Sequence, residues 1–187
     1  MKKRRYTLEP TPQVTIAPSP KASPSPVPSG RGYLTFAPVD YYSTKAERVK
    51  IKAAEIKVNQ VIQSSCFADF MLTRKLIQTD GRSRSQVVAH IQGMRDTVPV
   101  NMYYRQRTSA VAYRNEGEKD INLNRKYFSP NLDDCEWAST LSHESMHAIG
   151  EYDHDYEWSP SRSYSVPYSV GGGDTAQGGS AFDQCCQ

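Results

Sequence analysis

Two histidines one helical turn apart, His143 and His147, are followed by Gly150 and then by the pair Asp153–His154. This spacing constrains the local fold more than any other feature of the chain. Side chains at i and i+4 of a helix project from one face. The segment ending at His147 is therefore expected to be helical, with both imidazoles on one side. A glycine three residues later can turn the chain sharply, because it tolerates a left-handed conformation. Such a turn returns Asp153 or His154 to the side the imidazoles face. The chain has four histidines, and three of them lie between residues 143 and 154.

Between the first two histidines lies Glu144, so the stretch reads H-E-x-x-H, the spacing with which metal-dependent hydrolases set two zinc ligands and a general base on one helix. His143 and His147 are the expected ligands. Glu144 is adjacent to the first and is suited to hold and deprotonate a metal-activated water. A catalytic zinc needs three protein ligands and an open position. The third is sought past Gly150, where Asp153 is the first candidate and His154 the alternative; both are zinc ligands by type. Alternatives of other classes are a non-catalytic, metal-stabilised binding or adhesion module and an amide hydrolase acting on cell-wall material. An intact Glu144 argues against the binding module, since a purely structural site needs no base.

The 187 residues suffice for one medium domain. Residues 1–32 hold seven of the twelve prolines and almost no large apolar residues. Such a segment cannot bury enough surface to offset its ordering entropy, so it is expected to be a disordered, basic linker or tail. The catalytic domain is expected over residues 33–187. The net charge of +3 divides into +5 for residues 1–32 and −2 for the rest, which excludes a basic nucleic-acid surface on the folded part. Met1-Lys2-Lys3-Arg4-Arg5 resembles the start of a secretory signal, but the apolar run that should follow is missing. No stretch is long and apolar enough to span a membrane. The expected partner is a peptide or protein substrate, and the expected state is a monomer.

Four cysteines, Cys66, Cys135, Cys185 and Cys186, fit two disulfides in an exported protein. A bridge between adjacent Cys185 and Cys186 would be strained, which leaves two pairings, each tying the C-terminus to both Cys66 and Cys135. The expected location is secreted, periplasmic or cell-surface; four free thiols in the cytoplasm are the alternative.

Thr44 and Glu47 form a capping box before a helical stripe reaching about Gln63. Residues 64–80 read as a helical turn and a short strand, ended by Gly81. Ser83 and Gln86 cap a short helix through Met94, on which His90 reads as structural. Residues 98–104, 110–114 and 121–124 read as strands, with Asn122 and Asn124 on a sheet face. Asp133 and Glu136 cap the motif helix, from about Asp134 to His147. Beyond Asp153 no helical period is visible. The expected class is α+β, a small mixed sheet packed on helices with an irregular C-terminal subdomain.

The pattern H-E-x-x-H-x-x-G-x-x-D at His143, Glu144, His147, Gly150 and Asp153 resembles the metzincin zinc peptidases. With His154 and Tyr156 following, it is similar to their snapalysin-type branch of small secreted bacterial enzymes. The run from Val98 to Tyr104 and the Ser165-Val166-Pro167-Tyr168 segment resemble uncharacterised bacterial metzincin-like proteins. The resemblance implies a zincin fold, one catalytic Zn2+ held by His143, His147 and Asp153, Glu144 as base, and peptide-bond hydrolysis. Metzincins carry a methionine turn beneath the metal, and this chain has no methionine after Met146. Residues 165–170 occupy that region as a substitute turn, from which Tyr168 is expected to approach the metal or steady the oxyanion.

Overall fold

The computed structural model describes residues 33–106, 112–113, 118–154, 164–172 and 179–187. The proline-rich segment 1–32, Tyr156 and part of the expected strand 110–114 lie outside the described residues.

The chain enters as strand β1 (Tyr33–Pro38), then forms α1 (Lys45–Ile62), α2 (Ser65–Thr73) and α3 (Arg84–Gly93). Strand β2 (Arg95–Tyr103), the two-residue β3 (Ala112–Tyr113) and β4 (Ile121–Asn124) complete the sheet. Helix α4 (Asp134–Ala148) follows, then two short helices, α5 (Val166–Val170) and α6 (Ala181–Cys185). The sheet order is β1-β2-β4-β3, with β1, β2 and β4 parallel and β3 antiparallel at the edge. The protein is thus a mixed α+β fold with a small mixed sheet, as the alternation of patterns in the sequence implied.

Local signals account for most of the boundaries. Thr44–Glu47, Ser83–Gln86 and Asp133–Glu136 each form the reciprocal capping box, satisfying backbone donors that the first turn of a helix leaves free. Alternation in β2 places Val98, Val100 and Met102 in the core, in one buried cluster with Phe36 of β1, Ile121 and Leu123 of β4, and Trp137 and Leu141 of α4. Helix α1 also secures the edge strand β1. The Asn59 side chain bonds both the N–H and the C=O of Leu34 at 2.8 Å, and the Glu55 carboxylate accepts from the Phe36 N–H at 2.6 Å. Strand groups that would otherwise invite another chain are thereby satisfied within the molecule. Lys50 ties α1 to the start of α4 through Asp134 and the Leu132 carbonyl, both at 2.7 Å.

Four elements depart from expectation. Residues 65–73 are helical throughout, and the expected strand after them reduces to a single bridge between Ile77 and Ser165. Strand β1 is only six residues long, with Leu34 and Phe36 as its buried alternation, and its pairing with β2 makes it a strand. Helices α5 and α6 are one turn and a half each, too short to display a period, and packing against α4 supports them.

Two disulfides join Cys66 to Cys185 and Cys135 to Cys186, with Cα separations of 5.9 and 5.8 Å. Helix α6 is thereby clamped to both α2 and the first turn of α4. Two structural disulfides point to an oxidising, extracytoplasmic environment. Among the described residues no helix is long and apolar enough to cross a membrane. The bridges close spans of 119 and 51 residues, and removing one native bridge costs about 2–5 kcal/mol. The double variant Cys66→Ala/Cys185→Ala is therefore expected to lower the thermal midpoint by about 5–15 °C, measured by circular dichroism on the oxidised protein.

Candidate metal centre

Helix α4 carries His143, Glu144 and His147 in its last turns, where Leu141 and Met146 anchor its buried face. After Ala148 the chain doubles back on the helix. The N–H groups of Ile149 and Gly150 both bond the Ser145 carbonyl, and that of Tyr152 bonds the Met146 carbonyl at 3.0 Å. Gly150 is needed here for close approach: a Cβ would lie 2.8 Å from the Met146 oxygen. The left-handed residue is its neighbour Glu151, at φ 60°, so the turn expected at Gly150 is made by both residues in different ways. Tyr152 anchors the returning loop. Its ring is buried, edge-on to His90 at 5.6 Å, and burial pushes its phenol up to about 12. His90 thus supports the loop from α3 and stands apart from the histidine cluster, in keeping with a structural role.

The returning loop brings His154 to the first two histidines. One ligand atom from each of His143, His147 and His154 falls within 4.8 Å of the others, a group of the size that holds one metal ion. Asp153 lies outside this group. Its side chain is 65% exposed, and its Oδ1 sits 3.4 Å from Nδ1 of His147. Between the two third-ligand candidates, the fold brings His154 to the other histidines, and its side chain is buried.

The rings are oriented by backbone carbonyls. Nδ1 of His143 lies 2.6 Å from the Gly171 oxygen, and Nδ1 of His147 lies 2.9 Å from the Tyr152 oxygen. A carbonyl only accepts, so both Nδ1 atoms carry the proton and donate. Each Nε2 is then the lone-pair nitrogen, the form in which imidazole binds a metal, and outer-shell acceptors of this kind are what orient metal-ligating histidines. Burial is the main influence on His143, with the neighbouring His147 and His154 adding to it; together they bring its pKa down to about 3. The ring is therefore neutral at any ordinary pH. Donor type, tautomer and charge all fit a zinc ion.

That depressed pKa carries a consequence for the metal-stripped protein. In the unfolded chain His143 takes up a proton near pH 6.5, whereas in the folded chain it does so only near 3. Its contribution to stability is fully present above about 6.5 and is lost as pH falls from there toward about 3, at no more than about 1.4 kcal/mol per pH unit for one proton. Urea titrations between pH 7 and 4 are expected to show this added slope in the metal-stripped parent and to lack it in His143→Gln.

Two further residues singled out by the sequence, Glu144 and Tyr168, lie beside the histidines, whereas Asn122 and Asn124 belong to the sheet. Glu144 is buried beside His143 on the helix. The Tyr168 ring, on α5, packs 4.6 Å from the His143 ring and 4.9 Å from the His154 ring. Asn122 and Asn124 are buried on β4, where Asn124 bonds the Arg105 backbone at both its N–H and its C=O. Sequence reasoning missed Gly171 and Tyr152, because each acts through its main-chain oxygen. A run of three glycines after Val170 was the available hint for the first.

No family of known proteins, curated protein or solved structure matches this chain.

Proposed function

We propose that this protein is a zinc-dependent peptidase of metzincin-like type, with His143, His147 and His154 as the metal ligands and Glu144 as the general base. The observation that carries this reading is the convergence of three histidine side chains, with a buried glutamate next in sequence to the first. A structural metal site has no use for that glutamate. When bound, zinc supplies Lewis-acid polarisation of the substrate carbonyl and a lowered pKa for water.

The chain's own groups do the rest. Glu144 orients the attacking water, takes its proton and delivers it to the leaving amine. The Gly171 and Tyr152 carbonyls hold two ligand rings in the donor tautomer. Tyr168, whose ring packs against two of the three histidines, steadies negative charge on the carbonyl oxygen as it develops in this reading. The two disulfides support action outside the cytoplasm, as a secreted, periplasmic or cell-surface enzyme.

Metal content and chelation test the reading together. The purified protein is expected to hold one zinc per chain and to cleave casein in a reaction that stops with a chelator and resumes with added zinc. A zinc-loaded protein that cleaves peptidoglycan but not casein would reassign it to cell-wall amide hydrolysis. A zinc-loaded protein that cleaves neither would make it a binding module.

A further inference from the structure

The motif spacing marks Asp153 for the metal, whereas the fold sets its carboxylate at the outer edge of a ligand ring. We infer that Asp153 is a positioning residue, acting on the ion through His147 and His154 without binding it. The inference rests on the proposed metal site.

Two contacts made by one oxygen carry it. Oδ1 accepts the His154 N–H at 2.9 Å and lies 3.4 Å from Nδ1 of His147. Nδ1 of His147 is the protonated nitrogen, since the Tyr152 carbonyl accepts from it. The metal-facing nitrogen is therefore Nε2, on the opposite edge of the ring. A carboxylate oxygen held against the Nδ1 edge is on the wrong side of that ring to share the ion.

Each contact has its own effect. The bond to the His154 N–H fixes the main chain where the third ligand begins. The negative charge beside the Nδ1–H of His147 favours electron donation from Nε2, as carboxylates behind metal-bound histidines do. The Nδ1–H is already given to a carbonyl, and water screens a side chain this exposed. The effect on affinity should therefore fall at the low end of the outer-shell range, about tenfold.

The test uses the full chain with zinc and with cobalt(II), whose visible bands report the ligand set. Asp153→Asn keeps the shape and an oxygen for the His154 N–H but removes the charge; Asp153→Ala removes both. Expected are zinc affinities about tenfold weaker for Asp153→Asn and at least as weak for Asp153→Ala. Cobalt bands should match the parent in both, and the thermal midpoint of metal-stripped Asp153→Asn should be unchanged. His154→Ala should move the cobalt bands. If Asp153→Asn or Asp153→Ala moves the bands and His154→Ala leaves them in place, Asp153 is a ligand and the inference is overturned. If neither Asp153 variant loses affinity, the residue is a bystander and the inference is equally overturned. A parent chain that binds neither metal removes the proposed site itself, a failure distinct from both.

Discussion

Glu144→Gln is expected to bind zinc as the parent does and to lose peptide hydrolysis by a factor of about 10²–10⁴, the range contributed by a positioned general base. The substitution is close to isosteric, so the buried site keeps its packing. What is lost is the ability to accept a proton. The proposed metal ligands are the imidazoles of His143, His147 and His154, none of which is altered, so zinc content should stay at one per chain. The decisive comparison is kcat/KM on a fluorogenic peptide for parent and variant at matched zinc occupancy. Full activity in the variant would show that the base lies elsewhere and would leave the mechanism without support. Loss of zinc together with activity would instead place Glu144 among the ligands.

Gly171→Ala is the second large expected effect, and it acts from outside the motif. A Cβ at this position would lie 2.0 Å from the Ser139 carbonyl oxygen and 2.7 Å from the Ser142 Oγ, both on α4. Neither the helix backbone nor the main chain of residues 170–172 can absorb that overlap without moving apart. Overpacking of this kind costs about 1–3 kcal/mol. The Gly171 oxygen would move with it, and that oxygen is the acceptor that fixes the His143 tautomer. Loss of such a partner weakens metal binding by about 10–100-fold. The variant is therefore expected to lower both the thermal midpoint and the zinc affinity, measured by calorimetry and by competition with a chromophoric chelator. Gly93→Ala serves as the control, since its added methyl meets nothing within 4 Å and should leave zinc affinity unchanged. A Gly171→Ala protein with parental zinc affinity would mean that the carbonyl of residue 171 does not govern His143.

These two residues differ in how visible they were. Glu144 is legible because its role depends on side-chain chemistry at a fixed distance along a helix. Gly171 is not, because its role is a main-chain oxygen, which every residue possesses, delivered to His143 across 28 residues. The same contrast runs through the fold. The capping boxes at Thr44, Ser83 and Asp133 announced three of the helices, because capping is a matter between residues three apart. Strand β1 and helices α5 and α6 went unseen, because each is held by partners elsewhere in the chain. Cys185 and Cys186 were recognisable as the anchors of the C-terminus, but two pairings fitted equally well, and their positions relative to α2 and α4 decided between them.

The third ligand shows where local information ends. From the spacing alone, the chain could be seen to carry two imidazoles on one helix face, an adjacent glutamate and a turn that returns one of two neighbouring residues, because i and i+4 neighbours are fixed by helix geometry. Which of Asp153 and His154 reaches the other histidines was a tertiary matter. The buried Tyr152 ring and the doubling of residues 149–152 onto the last turn of α4 rotate the loop so that His154 points inward and Asp153 outward. Adjacent residues in an extended segment face opposite ways, and only packing against the rest of the domain can choose between them.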